Sequence, residues 1–252
     1  MVYYVIYRPP YDFEDRARIE ENLENLGCRQ IHPSIWTIDK ERLLKAEKIL
    51  ERHSPTFLKR TREIMRPCFS KDGGQKEIGS LIIIACQISG IANKRKFRKY
   101  LRRTPYIRLN SCVYAFPQKY FSDKSGRLLN AGSFWEYALK FDSNALILSR
   151  LVIVNSTAID RLLKETEIRM KNETKKIIGR CKSLTEKVEN NEIDRTNAIK
   201  IIRTLEIRFA IIKKVYEVYE EWLKLNLSSF VIKPYSAMRK ARSAIERYGV
   251  IY

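Results

Sequence analysis

The chain contains an internal repeat that aligns without a gap at an offset of 78 residues. The apolar stretch 3–7 overlays 81–85, and the stretch 31–36, which ends in an aromatic residue, overlays 109–114. Charged and apolar positions of the intervening helical patterns also coincide. A fixed period of this kind indicates one structural unit used twice, so whatever the unit does is done by a pair.

Both copies predict the element order β-α-β-β-α-β. The expected elements are a strand at 2–8, a helix at 12–26, two strands in 29–39, a helix at 41–52 and a strand in 57–65, then a strand at 79–89, a helix at 93–103, two strands in 106–117, a helix at 134–141 and a strand at 145–154. This order is that of a ferredoxin-like split βαβ unit. The predicted fold is α+β, with tandem ferredoxin-like units at 1–69 and 79–155, joined by a linker at 70–78 and docked as a pseudo-dimer.

Helical heptads begin near residue 157 and are broken once, at Glu189-Asn190-Asn191-Glu192. Two helices of about 30 residues with such a short polar turn predict an antiparallel hairpin at 156–226, each helix roughly 45 Å long. Dimerisation of two chains through the same heptads, or docking of a protein partner, stays open as an alternative. A basic C-terminal segment follows at 227–252.

The charge balance predicts attraction to polyanions. Lys and Arg number 49 against 29 Asp and Glu, for a formal net charge of +20. Nucleic acid is the first candidate partner and an anionic membrane surface the second. Since no apolar run is long enough for a transmembrane helix and the N-terminus lacks a signal-peptide pattern, we expect no membrane partner and a cytoplasmic location, nucleoid-associated if the ligand is DNA.

The two copies differ most in the charge of their first helix. Residues 90–110 hold eight Lys or Arg and no acid, whereas the aligned helix of the first copy carries Glu14, Asp15, Glu20, Glu21 and Glu24. Phe97 and Leu101 are expected to point inward. Repulsion among so many like charges disfavours an isolated helix, and a phosphate backbone would offset it.

Nucleic-acid binding without base readout is therefore the predicted function, and a merely solvated charged face is the alternative. The candidate phosphate contacts are Lys94, Arg95, Lys96, Arg98, Lys99, Arg102, Arg103 and Arg108, with Lys124 and Arg127 on an adjoining loop and Arg239, Lys240 and Arg242 near the C-terminus.

Aromatic residues on the predicted strands allow two interpretations. They could stack single-stranded bases, as in RNA-recognition folds, or they could fill the core or the seam between the two copies. The aromatic-glycine signature of such modules is missing from 111–116, which favours the core. The residues concerned are Tyr3, Tyr7, Trp36, Tyr114 and Phe116.

The succession of an apolar strand, a basic helix and the segment 107–117 (IRLNSCVYAFP) resembles Cas2-like ferredoxin folds. It is similar as well to the Cas2-like domain of PaaX-type repressors and to the N-terminal region of ChrB-type regulators. The resemblance spans about 81–154 and, more faintly, 2–52. It implies a pair of units that holds duplex nucleic acid, and it is the reason for preferring DNA over RNA.

Catalytic chemistry is not predicted. Cas2 nucleases place a metal-binding Asp at the end of the first strand, where this chain has Tyr7-Arg8-Pro9 and Ala85-Cys86-Gln87. Asp12, Glu14 and Asp15 lie nearby, but acids in a first helical turn commonly complement the helix dipole, so a capping role is favoured over a metal site. The five cysteines and two histidines form no ligand or nucleophile pattern. We expect no catalytic residue, metal or cofactor; a metal-dependent nuclease of the Cas2 type remains the alternative.

Overall fold

The computed structural model of the chain describes residues 2–69, 75–118 and 126–248. The chain divides into two compact units, Met1–Lys164 and Glu165–Tyr252. The first unit contains a large sheet with helices, and the second is helical.

The first unit repeats one order of elements, β-α-β-β-α-β, on either side of a short hairpin. In the first half these are β1 (Tyr3–Ile6), α1 (Phe13–Asn25), β2 (Arg29–His32), β3 (Ile35–Ile38), α2 (Leu43–Leu50) and β4 (Thr56–Arg60). The hairpin is β5 (Cys68–Phe69) with β6 (Gln75–Glu77). In the second half they are β7 (Leu81–Ala85), α3 (Ile91–Leu101), β8 (Ile107–Arg108), β9 (Val113–Pro117), α4 (Ala131–Leu139) and β10 (Leu146–Ile153).

The two halves share one sheet. Its order within the described residues is β2-β3-β1-β4-β10-β7-β9-β8, and every pairing in it is antiparallel. The last strand of each half forms the junction, where Leu151 of β10 lies opposite Arg60 of β4. The predicted α+β class is confirmed, with a large antiparallel sheet and long C-terminal helices.

Each half packs its helices on one face of the sheet. Strand residues alternate, so Tyr3, Val5 and Tyr7 share a cluster with Ile19 and Leu23 of α1. The second half repeats this cluster around a set of aromatic rings, namely Phe97, Tyr114, Phe116 and Phe134. Each large apolar side chain buried in this way stabilises the fold by about 1.5–3 kcal/mol relative to exposure.

A hydrogen bond joins the two halves at the end of the strands. The Asn110 side-chain Nδ2, in the turn before β9, donates to the carbonyl of Tyr7 at 3.2 Å. Four strand spacings separate β1 from β9, which would be about 19 Å in a flat sheet. The sheet must therefore curl, and it brings the β8–β9 turn onto the end of β1.

The second unit is formed by long helices. α5 (Ser156–Glu189) begins in the first unit, and it is followed by α6 (Arg195–Leu223) and α7 (Ser228–Tyr248). The hydroxyl of Tyr216 in α6 bonds to the hydroxyl of Thr174 and donates to the carbonyl of Met170, both in α5. Arg169 of α5 donates to the hydroxyl of Tyr219, whereas Glu173, further along α5, accepts from Arg208, which comes earlier in α6, so the two helices run antiparallel.

The basic C-terminal segment at 227–252 contains a helix, which the sequence analysis did not predict. α7 buries Pro234, Met238, Ala241 and Ile245 at helical spacing and packs on α6. In the described ranges, no helix is both long and apolar enough to cross a bilayer.

Candidate nucleic-acid interface

Helix α3 is held on the sheet by two side chains on one face. Phe97 and Leu101 are buried, as predicted, and Phe97 packs against the ring of Phe134 with centroids 5.2 Å apart. Gly90 begins the helix with φ of 76°, a conformation that favours glycine, and it provides no side-chain cap. The remaining helix surface is free to carry charge.

Six basic residues, each a Lys or an Arg, cover that surface, and all of them are exposed. In the part of the chain that the structure describes, none of the six forms an ion pair. At 100° per residue, Arg95, Lys99 and Arg102 lie opposite the buried pair and form the outermost row. The six residues, hereafter the α3 basic face, are Lys94, Arg95, Lys96, Arg98, Lys99 and Arg102.

Arg103 differs from the residues of the α3 basic face because its guanidinium already has partners. Its Nε donates to the carbonyl of Arg127 and its Nη2 to the carbonyl of Gly126, both at 2.9 Å. Its own carbonyl accepts a hydrogen bond from the amide of Leu129 at 2.7 Å. The segment before α4 is thereby fixed to the end of α3.

The loop that the sequence placed beside the basic helix is described only in part. Arg127 is exposed, and the bond from Arg103 to its carbonyl places its backbone next to the C-terminal end of α3. Lys124 lies outside the described residues.

Arg108 lies on the edge strand β8 and its side chain is turned to the neighbouring turn. Its Nε donates to the carbonyl of Asn110 at 2.9 Å, and its Nη2 lies 3.5 Å from the carbonyl of Ser111. These hydrogen bonds fix the geometry of the guanidinium without an opposing charge.

The C-terminal candidates belong to the second unit. Arg239 and Lys240 are exposed on α7. Arg242 pairs with the carboxylate of Glu206 on α6 at 2.7 Å, and this ion pair is largely exposed, at 58% and 34%. A phosphate would have to compete with Glu206 for Arg242, so Arg242 is the weaker candidate of the three.

The equivalent helix of the first half, α1, shows a different surface. Ile19 and Leu23 are buried at the positions of Phe97 and Leu101, but acids occupy much of the exposed surface. Asp12 is the N-cap, and its Oδ1 accepts from the amides of Glu14 and Asp15 at 2.8 and 3.1 Å. The predicted capping role of Asp12 is confirmed. Among the residues described, no group of three or more His, Cys, Asp or Glu is arranged to hold a metal ion.

The strand aromatics fill the core. Tyr3, Tyr7, Trp36, Tyr114 and Phe116 are each at most 6% exposed, which confirms the core interpretation and excludes a base-stacking platform on these rings. Burial, with the Glu20 carboxylate as a smaller cause, raises the pKa of Tyr7 to about 12.

An aromatic pair between α3 and α4 was not anticipated from the sequence. The rings of Tyr100 and Tyr137 stack with centroids 3.8 Å apart, and the Lys140 ammonium lies 4.9 Å from the centroid of Tyr137. Tyr100 follows Phe97 by three residues, which was the available signal. The stack joins α3 to α4 and uses one face of each ring.

Burial keeps two of the thiols and one imidazole neutral. Burial raises the pKa of Cys86 to about 12 and that of Cys181 to about 11, so both stay protonated at neutral pH. Burial lowers the pKa of His32, against the attraction of the Asp142 carboxylate. These groups act as packing residues in their neutral forms.

Comparisons of the chain with protein-family models, with curated proteins and with solved structures find no significant match.

Proposed function

We propose that the protein is a non-catalytic nucleic-acid-binding protein that contacts phosphates through the α3 basic face. The observation that carries this proposal is that α3 presents six exposed Lys and Arg residues and no acidic residue. None of the six forms an ion pair with any residue the structure describes. Each phosphate neutralised by Lys or Arg releases condensed counterions, which makes the binding strong and dependent on salt.

Duplex DNA is the proposed ligand, and the role is regulatory or chromatin-associated. We interpret each β-α-β-β-α-β half of the first unit as a ferredoxin-like unit, because its strand order, β2-β3-β1-β4 or β8-β9-β7-β10, is the one that this connectivity produces. The resemblance of 107–117 to Cas2-like folds favours DNA over RNA. Flexible Lys and Arg side chains on the outer face of a helix fit backbone contacts, which carry no sequence information.

The outermost row provides a quantitative test. Binding of the full chain to labelled duplex DNA, single-stranded DNA and RNA would be measured from about 50 to 200 mM salt. Replacing Arg95, Lys99 and Arg102 by Ala should flatten the slope of log K against log salt by about 2.7, at about 0.9 per phosphate contact. Over this salt range the parent should then lose about 40-fold more affinity than the variant does.

A matched control removes the same charge elsewhere. Lys45, Lys48 and Arg52 are exposed in and just after α2, and their triple Ala variant keeps the net charge of the α3 variant. If both variants lose the same slope, the effect comes from overall charge and the α3 assignment is wrong. Absence of binding by the parent at physiological salt would exclude the proposal.

The same preparations distinguish the two other functions. A metal-dependent nuclease would cleave DNA with Mg²⁺ or Mn²⁺ and would lose activity on Asp12→Ala. We expect no cleavage, because the Asp12 carboxylate is engaged in capping α1. An assembly factor would show concentration-dependent mass without affinity for polyanions.

A further inference from the structure

Arg103 makes three hydrogen bonds with the segment that precedes α4. Its guanidinium bridges two successive carbonyls, those of Gly126 and Arg127, and its own carbonyl accepts from the amide of Leu129. The segment continues into α4 through Asn130, whose side chain caps the helix at the amide of Ser133. The stretch from Gly126 to Asn130 is thus fixed at both ends.

The chemistry of this contact requires arginine. Nε and Nη2 of a guanidinium point in fixed, nearly parallel directions and can reach two neighbouring carbonyls at once. An ammonium group is a point charge on a flexible stem and cannot reproduce that geometry. Gly126 has φ of 61°, a conformation that favours glycine, and among the described residues other than its chain neighbours no atom lies within 4 Å of the place that a Cβ would take there. The carbonyl of this glycine is held by the bond from Arg103.

We infer that Arg103 is a positioning residue that holds Arg127 beside the α3 basic face, and that Arg127 makes the phosphate contact. This inference rests on the proposed function. It divides two residues of equal charge into different roles: the Arg103 guanidinium is engaged with carbonyls, whereas the Arg127 side chain is exposed and forms no ion pair with the residues described. Two consequences separate these roles.

The first consequence concerns charge. Arg103→Lys preserves the positive charge but loses the bridge, so a direct phosphate contact would survive this substitution and a positioning role would not. The second concerns coupling. If Arg103 acts through Arg127, the effects of the two substitutions must not add, because residues that act on one interaction show non-additive effects.

The experiment compares the parent with Arg103→Lys, Arg127→Ala, the double variant and a control. Arg18→Lys is the control, because Arg18 is exposed on α1, outside the proposed interface, and the substitution is the same in kind. We expect Arg103→Lys and Arg127→Ala each to flatten the salt slope by about 0.9, the double variant to lose no more, and the control to match the parent. A parental slope for Arg103→Lys or for Arg127→Ala, or additive losses in the double variant, would overturn the inference.

Hydrogen exchange of the Leu129 amide gives a readout without nucleic acid. We expect Arg103→Lys to increase its exchange rate at least about tenfold, which corresponds to a local loss of about 1.4 kcal/mol, and Arg18→Lys to leave it unchanged. Unchanged exchange in Arg103→Lys would overturn the positioning role even where binding is weakened. If Arg103→Lys exchanges faster but the parent binds no nucleic acid, the proposed function and the phosphate role of Arg127 are both wrong, whereas the bridge itself is real.

Discussion

Asn110 ties the two halves of the first unit together, and its replacement by Ala should destabilise the fold strongly. The side chain is 4% exposed; its Nδ2 donates to the Tyr7 carbonyl at 3.2 Å and its Oδ1 accepts from the Cys112 amide at 2.8 Å. A buried group left without its partner costs about 1–3 kcal/mol. Tyr7 is fully buried and Cys112 is partly open to water, so we expect a loss of about 2–4 kcal/mol in the free energy of unfolding.

The assay is urea denaturation followed by the fluorescence of Trp36, which is fully buried in the first half. Replacing Trp135 and Trp222 by Phe in parent and variants confines the signal to that half. Ser111→Ala is the control, because this exposed neighbour should change stability by less than about 0.5 kcal/mol. A loss below about 0.5 kcal/mol for Asn110→Ala would refute the reasoning, since the halves would then hold together without this bond.

Three further substitutions test other parts of the fold. Tyr216→Phe removes the hydroxyl bonds that join α6 to α5 and should cost about 1–2 kcal/mol in urea unfolding of the second unit; no loss would show that the network is dispensable. His32→Asn tests the buried imidazole, whose pKa is lowered in the folded chain, so that the unfolded chain binds the proton more readily. The stability of the parent should therefore fall as the pH drops below about 6.5 toward the folded pKa, by at most about 1.4 kcal/mol per pH unit. The variant should lack this pH dependence when thermal melts at about pH 7.5 and 5.5 are compared. Asp12→Ala should cost about 1 kcal/mol in thermal unfolding through the lost cap and leave DNA affinity unchanged, whereas a large loss of affinity would contradict the capping role.

The repeat predicted the order of elements because each strand and helix carries its own local period. The observed helix boundaries differ from the expected ones where a side chain acts as a cap. Asn130 caps α4, which therefore begins at Ala131, three residues before the first aromatic residue of the expected helix. The junction between β4 and β10 could not be predicted, because pairing between strands so distant in the chain depends on how both halves curl. The helical spacing of Pro234, Met238 and Ala241 was present in the sequence, but the surrounding Lys and Arg residues made the apolar pattern hard to recognise.

The position of the α3 basic face followed from the sequence, but the hydrogen bonds of the neighbouring arginines did not. Phe97 and Leu101 define the buried side, and every Lys or Arg away from that side was expected to face solvent. Arg103 and Arg108, beside that face, were expected to contact phosphate, but their guanidinium groups donate to carbonyls of adjacent turns. Sequence patterns give the number of charges on a helix, whereas the partners of each charge depend on loop conformations that have no periodicity.

The contrast between α1 and α3 explains how a tandem repeat can present a basic helix in only one of its two halves, as the proposed contact with nucleic acid requires. Both helices keep two buried residues four apart, Ile19 with Leu23 and Phe97 with Leu101, because packing on the sheet requires them. The exposed positions are free of that requirement, so the two copies can differ in charge without loss of the core. Two identical chains would present the basic helix twice, related by symmetry, whereas this single chain presents it once. At 1.5 Å per residue, the 11 residues of α3 extend for about 16 Å. That length corresponds to about five base pairs at about 3.4 Å each, so the proposed contact through α3 alone would cover about half a turn of the duplex and would not bring phosphate against the acidic α1, which would repel it.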